Sequence, residues 1–265
     1  MFWVRFRSSC IIVVCAALAL ILGGNVLFGV ILAISLIGMM EMYRVLGVHK
    51  ASVGIIGYLA CIGYDFLLFF GQGTYRTEFF IAFFLGLMLG DVVTFPKYRS
   101  EQITMVFFGF FYVAVMLSYV FLLRLCDGGA YLVWLIFIGS WGSDTFAYLV
   151  GRKLGKHKIV PKLSPKKSLE GCIGGIVGAA ALGALYAAVF SAKLTMFAQP
   201  VFVCAVMGAA SSVISQLGDW AASAIKRNYD VKDYGKLIPG HGGIMDRFDS
   251  VIFTAPVIYY LAQLL

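Results

Sequence analysis

The sequence predicts an all-α, polytopic membrane protein with about nine transmembrane helices, each needing about 20 residues to cross a hydrocarbon core of roughly 30 Å. Three observations carry this prediction. Of 265 residues, 61% are hydrophobic and 13% charged, where an average soluble domain has roughly 25% charged. The mean hydropathy of +0.92 exceeds what one water-facing globule could bury, so lipid is the natural solvent for most side chains. Basic residues, finally, gather in alternate connections between the apolar runs, as they do in cytoplasmic loops.

Apolar runs fall at 10–22, 26–40, 53–70, 79–95, 103–123, 130–150, 171–191, 199–225 and 250–265. Only Gly23-Gly24-Asn25 separates the first pair. Fused, they would make a helix of about 46 Å, far longer than the bilayer core. Nine spans place 18 basic residues on the side of the N-terminus and 3 opposite, whereas fusion gives 16 and 5, so two helices are expected. Arg5 and Arg7 before an apolar stretch imitate a secretory signal, but apolar sequence continues through Ile37, and a retained helix is expected. In the seventh run Gly171, Gly174, Gly175, Gly178 and Gly183 should let neighbouring helices of the same chain approach closely. Six scattered cysteines (10, 15, 61, 126, 172 and 204) lack zinc-site spacing and read as small apolar core residues. The chain divides into an N-terminal region, 1–130, and a C-terminal region, 131–265, with polar cytoplasmic segments at 151–170 and 226–249.

The net charge of +8 is accounted for by those loops, and no interleaving of aromatic and basic residues marks a nucleic-acid partner. The chemistry belongs to the two polar segments. Ser140, Asp144 and Tyr148, spaced by four, are expected on one helix face. An acid in a span costs about 2.5–3.5 kcal/mol, which suggests a cation, a metal or a wet cavity beside Asp144. The first segment closes with Ser164-Pro165-Lys166-Lys167-Ser168 before Glu170. The second grows from a polar face made by Gln216, Asp219, Ser223 and Lys226. It continues through Arg227, Lys232, Asp233, Pro239-Gly240-His241-Gly242-Gly243, Asp246-Arg247 and Asp249. Glycines there suit a loop whose amides approach an anion. Carboxylates for a hard divalent cation beside many basic groups point to phosphoryl or nucleotidyl transfer, in which Mg²⁺ takes few carboxylates plus substrate phosphates. No Walker sequence is present: Gly155-Lys156 is followed by His157, and Val150 stands where the earlier glycine belongs. Asp65 and Asp91 are given no chemistry and are expected at an interface or hydrogen-bonded to a neighbouring helix. Glu41 and Arg44, three apart, read as a local ion pair.

Ser223, Ile225, Lys226-Arg227, Lys232-Asp233, Gly235, Ile238-Pro239, His241-Gly242-Gly243-Ile244 and Asp246-Arg247-Phe248-Asp249 resemble the signature of the phosphatidate cytidylyltransferases, a specific match over 223–249. Ser140, Asp144 to Tyr148, Gly151-Arg152, Gly155-Lys156 and Ser164 to Gly171 are similar to the family's other marked region. The sequence departs from that pattern at Ala222, acidic in many members, and at Ser168, usually Thr. The resemblance implies that CTP and phosphatidic acid give CDP-diacylglycerol and pyrophosphate at a bacterial inner membrane, with the site facing the cytoplasm. It implies Mg²⁺, with a second, monovalent cation such as K⁺, and a homodimer. On this resemblance Asp219 and Asp246 hold the metal. Lys226, Arg227, Arg247 and Lys167 neutralise the leaving pyrophosphate. Asp144 is favoured as a contact to metal or cytidine over a purely structural role, and His241 either hydrogen-bonds a phosphate oxygen, the favoured role, or shuttles a proton. Ser164 and Lys166 close over the triphosphate, while Ser223, Lys232, Gly242, Gly243 and Asp249 complete the substrate contacts.

A transporter of an anionic solute is the rival from another class, but the polar residues sit in two late segments and not on paired broken helices at the midplane. A CDP-alcohol phosphotransferase would continue Asp127-Gly128-Gly129-Ala130 with an Arg and later acids, and this sequence does not. A polyprenol kinase using CTP fits the second segment far less well.

Overall fold

A computed structural model describes residues 2–265, apart from the side chains of residues 2, 4, 5 and 6, so the Arg5 side chain counted above lies outside the described residues. Nine helices and no strands are found among the described residues: α1 (Phe2–Leu22), α2 (Gly24–Val45), α3 (Ser52–Phe69), α4 (Arg76–Thr94), α5 (Ser100–Leu125), α6 (Gly129–Leu154), α7 (Leu169–Phe190), α8 (Pro200–Asn228) and α9 (Met245–Leu264). Seven of them, α2 to α8, are long and apolar enough to cross a membrane. Helix α1 contributes a shorter apolar stretch, Arg7–Leu22, and α9 opens on Asp246, Arg247 and Asp249. Residues 10–40 form two helices, as expected, the second of them among the seven. The break sits where Gly23 and Gly24 take φ of 62° and 47°, a region that a Cβ disfavours.

The helices outrun the apolar runs. Arg152 and Lys153 extend α6, Lys226 and Arg227 extend α8, and Asp246 to Asp249 lie within α9. The polar connections are therefore 155–168 and 229–244, shorter than the expected 151–170 and 226–249. Nothing in those stretches breaks a helix, and cations in a last turn complement the C-terminal end of the dipole.

The chain forms two compact units. One comprises 1–118 and 229–247, the other 119–228 and 248–265. The first is centred on aromatic side chains. Tyr43, fully buried, donates to the Val106 carbonyl at 2.7 Å, its ring filling the space left by Gly57 and Gly109. Tyr64, Phe79, Phe80, Phe83 and Phe110 pack in stacked, tilted and edge-to-face pairs, with centroids 4.5 to 6.5 Å apart. Asp65 is 3% exposed, and its Oδ2 has no hydrogen-bond partner among the described residues, contrary to the expected interfacial or bonded position.

In the second unit the glycines of α7 do the packing. A Cβ on Gly174 would lie 2.5 Å from Val150 of α6 and one on Gly175 3.0 Å from Ser143 Oγ. On α8, Gly208 meets the backbone of Ala179, so both sides of α7 are in close contact. The small residues thus serve packing within the chain. Ser143 and Ser212 join α6 to α8 by a buried hydroxyl pair at 2.7 Å. The cysteines divide: Cys61 and Cys204 are buried as expected, but Cys10 and Cys15 are exposed on α1 beside the exposed Ile11, Val13, Val14 and Leu18, as a lipid-facing helix allows.

Candidate functional site

In the second unit, α6, α7, the connection between them and Gln216 of α8 line an open cavity of about 600 Å³. It is lined by Asp144, Tyr148, Arg152, Lys158, the 164–168 segment and Gln216, among others. Its walls follow from local structure. Ser168 is the N-cap of α7, its hydroxyl accepting from Gly171 N at 3.2 Å, so this departure from the family pattern keeps the capping group. Glu170, in the first turn, accepts from Lys156 N at 3.0 Å and meets His157 Nδ1 at 2.6 Å. Leu169 N returns to the His157 carbonyl at 2.9 Å, and these contacts fold 156–168 back against the helix that follows it. Glycine at 151, 155 and 171 leaves room for the Ser168 hydroxyl.

Helix α6 carries a π-turn at Ile138–Gly142. Ser140 lies within this turn. Ser140 is buried and donates to the Ile136 carbonyl at 2.8 Å, whereas Asp144 and Tyr148 line the cavity.

The polar face of α8 points inward. Gln216, which lines the cavity, donates from Nε2 to the Cys172 carbonyl at 3.1 Å. Asp219 accepts an ion-pair hydrogen bond from Lys167 Nζ, and that ammonium lies 5.7 Å from the centre of the Trp220 ring. Burial pulls the Lys167 pKa below that of an ordinary lysine, while Asp144 and Asp249 raise it and Lys226 lowers it further. Lys167, Asp144, Asp219, Asp249 and Lys226 therefore share one electrostatic neighbourhood. Ser223 is half-buried on α8 and Arg227 exposed at its end. Asp249 is buried, with Oδ1 accepting Ser250 N at 2.8 Å.

The first unit holds the glycine-containing loop. Ile238 N donates to the Gly242 carbonyl at 2.8 Å and His241 N to the Ile238 carbonyl at 3.0 Å, closing a tight turn in which Gly240 and Gly242 take φ of 78° and 87°. The anion met by Gly243 N is the chain's own: Asp246 Oδ2 accepts it at 2.9 Å and Tyr234 N at 2.8 Å. His241 Nε2 lies 3.1 Å from Ser9 Oγ, and its carbonyl accepts from Arg247 Nε at 3.1 Å. Lys232 is exposed. Glu41, expected to pair with Arg44, accepts instead from Ile244 N at 3.2 Å and Met245 N at 2.9 Å. Arg44 turns to Met40 Sδ at 3.4 Å. Sequence pattern held no signal for this, because the contact joins residues 204 apart. It also held little for Lys158 and Glu170, whose roles depend on the fold of the connection.

Among the described residues no group of three or more His, Cys, Asp or Glu side chains is arranged to hold a metal. What the second unit offers is oxygen donors around a cation already present, the Lys167 ammonium. Hard carboxylates suit an ion that keeps most of its coordination for substrate phosphates and water.

The sequence model of the Cytidylyltransferase family matches residues 3–265. A phosphatidate cytidylyltransferase of Bacillus subtilis (strain 168) is 31% identical over 254 residues, 93% of each chain. That of Rickettsia typhi is 31% identical over 194 residues, 70% of this chain and 81% of the relative. That of Thermotoga maritima is 40% identical over 154 residues, 58% of this chain and 57% of the relative.

Proposed function

The chain belongs to the cytidylyltransferase family, and from that premise we infer that it transfers a cytidylyl group from CTP to phosphatidic acid, giving CDP-diacylglycerol and pyrophosphate. The observation that carries this reading is the cavity of the second unit, where Arg152, Lys158, Lys166 and Lys167 face one space of about 600 Å³ together with Asp144. A triphosphate needs such a concentration of cations. A lipid substrate explains why the enzyme is built of apolar helices.

The monoester phosphate of phosphatidic acid, with a second pKa of about 6, is already an anion near neutral pH and needs no strong base. One of its oxygens bonds to the α-phosphorus of CTP while the bond from that phosphorus to the bridging oxygen breaks, and pyrophosphate carries away the electron pair. The obstacle is repulsion between anions. Lys167 and Lys166 neutralise the triphosphate, and Arg152 and Lys158 extend the positive wall along which pyrophosphate departs. Asp219 orients the Lys167 ammonium, and Asp144 at the cavity wall faces the nucleotide.

The donor chemistry fits Mg²⁺. Asp219 would hold it, with a monovalent cation such as K⁺ as its companion, and when bound it supplies charge neutralisation at the phosphate oxygens. The basic residues, 18 on one side against 3 with nine spans and 16 against 5 with the seven from α2 to α8, support a site facing the cytoplasm across a bacterial inner membrane. The working form is taken as a homodimer, on the family resemblance alone.

The test is release of pyrophosphate from CTP by purified protein in detergent. We expect release that depends on added phosphatidic acid, with a lipid product containing cytidine. Release of CDP in place of pyrophosphate would indicate a CTP-dependent lipid kinase, and the absence of either product would remove the enzyme reading.

A further inference from the structure

We propose that Glu41 is a positioning residue, holding the 234–246 loop in its working shape from a helix some 200 residues earlier in the chain. This rests on the reading of that loop as part of the cytidylyl-transfer machinery.

Glu41 is 1% exposed, yet no basic side chain forms an ion pair with it among the described residues. A carboxylate so buried is costly unless hydrogen bonds replace its water. Here backbone amides do so: Oε1 accepts Ile244 N at 3.2 Å and Oε2 accepts Met245 N at 2.9 Å. These amides open α9, where a helix leaves N–H groups without partners inside the helix and favours negative charge. The loop also wraps the carboxylate closely. A Cβ on Gly235 or on Gly243 would run into Glu41's carboxylate oxygens, so both positions must lack a side chain while Glu41 occupies this place. Asp246 completes the arrangement by taking Tyr234 N and Gly243 N on one oxygen. Four amides between 234 and 245 are thus fixed by two carboxylates, one of them supplied by α2. His241, Gly242 and Asp246 lie between or on these anchors. Glu41 itself acts through the loop.

Glutamine at 41 separates this role from simple space filling. It keeps the volume against Gly235 and Gly243, but turns an NH₂ group toward an amide donor. Full-length protein in detergent is compared as wild type, Glu41→Gln, Glu41→Asp and Gly235→Ala. Folding is followed by elution and melting, and loop order by the rate of tryptic cleavage after the exposed Lys232 and Lys236. Activity is followed as kcat and KM for CTP. Glu41→Gln is expected to elute as wild type and to be cut faster at those two lysines. Its kcat should fall about tenfold to hundredfold, the scale on which a misplacement of about 1 Å acts. Glu41→Asp should recover part of the loss, and Gly235→Ala should reproduce it by pressing its Cβ on the unmutated Glu41 carboxylate. Wild-type cleavage and kcat in Glu41→Gln would overturn the proposal. So would loss of folded protein across the series with unchanged kcat per folded molecule. If Glu41→Gln does not accumulate, Gly235→Ala decides alone, normal cleavage and kcat there refuting the idea. Should wild type release no pyrophosphate, the functional reading falls, while cleavage rates still judge Glu41.

Discussion

At Lys167 a single ammonium is paired with Asp219 and acted on by Asp144 and Asp249, so its contribution can be measured one side chain at a time. A hydrogen bond to a charged group is worth about 1.5–3 kcal/mol. Replacing Lys167 by Met should therefore raise KM for CTP by about tenfold or more, as read by pyrophosphate release. An unchanged KM would move the triphosphate elsewhere. Asp219→Asn keeps shape and removes charge, and we expect the Mg²⁺ concentration for half-maximal activity to rise severalfold. A variant with the wild-type Mg²⁺ dependence would strip Asp219 of its metal role. Asp144, Ser164, Lys166 and Lys167 were legible in the sequence because their neighbours along the chain mark them, and the structure gathers all four on one cavity. Glu41 was not legible. Its nearest charged neighbour in sequence suggested a local pair, and nothing in a one-dimensional pattern points to amides at 244 and 245.

The elements show where periodicity stops being a guide. Spacing by four treats Ser140, Asp144 and Tyr148 alike, but packing separates them: Ser140 is buried and bonded to the Ile136 carbonyl, whereas Asp144 and Tyr148 line the cavity. The π-turn at Ile138–Gly142 in which Ser140 sits leaves no compositional trace. Helix ends were displaced for a related reason: hydropathy reports where lipid ends, not where hydrogen bonding does. The cap at Ser168 is the opposite case, a residue type at a helix start that does what its chemistry favours. Ser168→Ala should cost about 1 kcal/mol, whereas Ser168→Thr should be close to neutral. Melting in detergent would show the difference, and equal melting of both variants would deny the cap a role. Gly174→Val would press on Val150 from α7. Overpacking of this kind costs about 1–3 kcal/mol, and a melting temperature at or above wild type would mean that the interface is looser than described.

For the molecule as a whole, the lipid reactant confines the reaction to a surface. The rate should follow the mole fraction of phosphatidic acid in mixed micelles at constant bulk concentration, and a dependence on bulk concentration alone would speak against access through the bilayer. Composition by itself determined that this chain is helical and lives in lipid, because an apolar segment of about 20 residues can satisfy its backbone in hydrocarbon only as a helix or within a closed barrel. The order of residues pointed to the family as well, since the residues that carry the resemblance lie in two segments, 140–171 and 223–249. Only tertiary structure decided which of those residues meet one another. The carboxylates that hold loop amides or an ammonium are recruited across the chain, Glu41 to Met245 and Lys167 to Asp219. A buried charge takes whichever partner the packing brings within reach, and sequence spacing does not encode that distance.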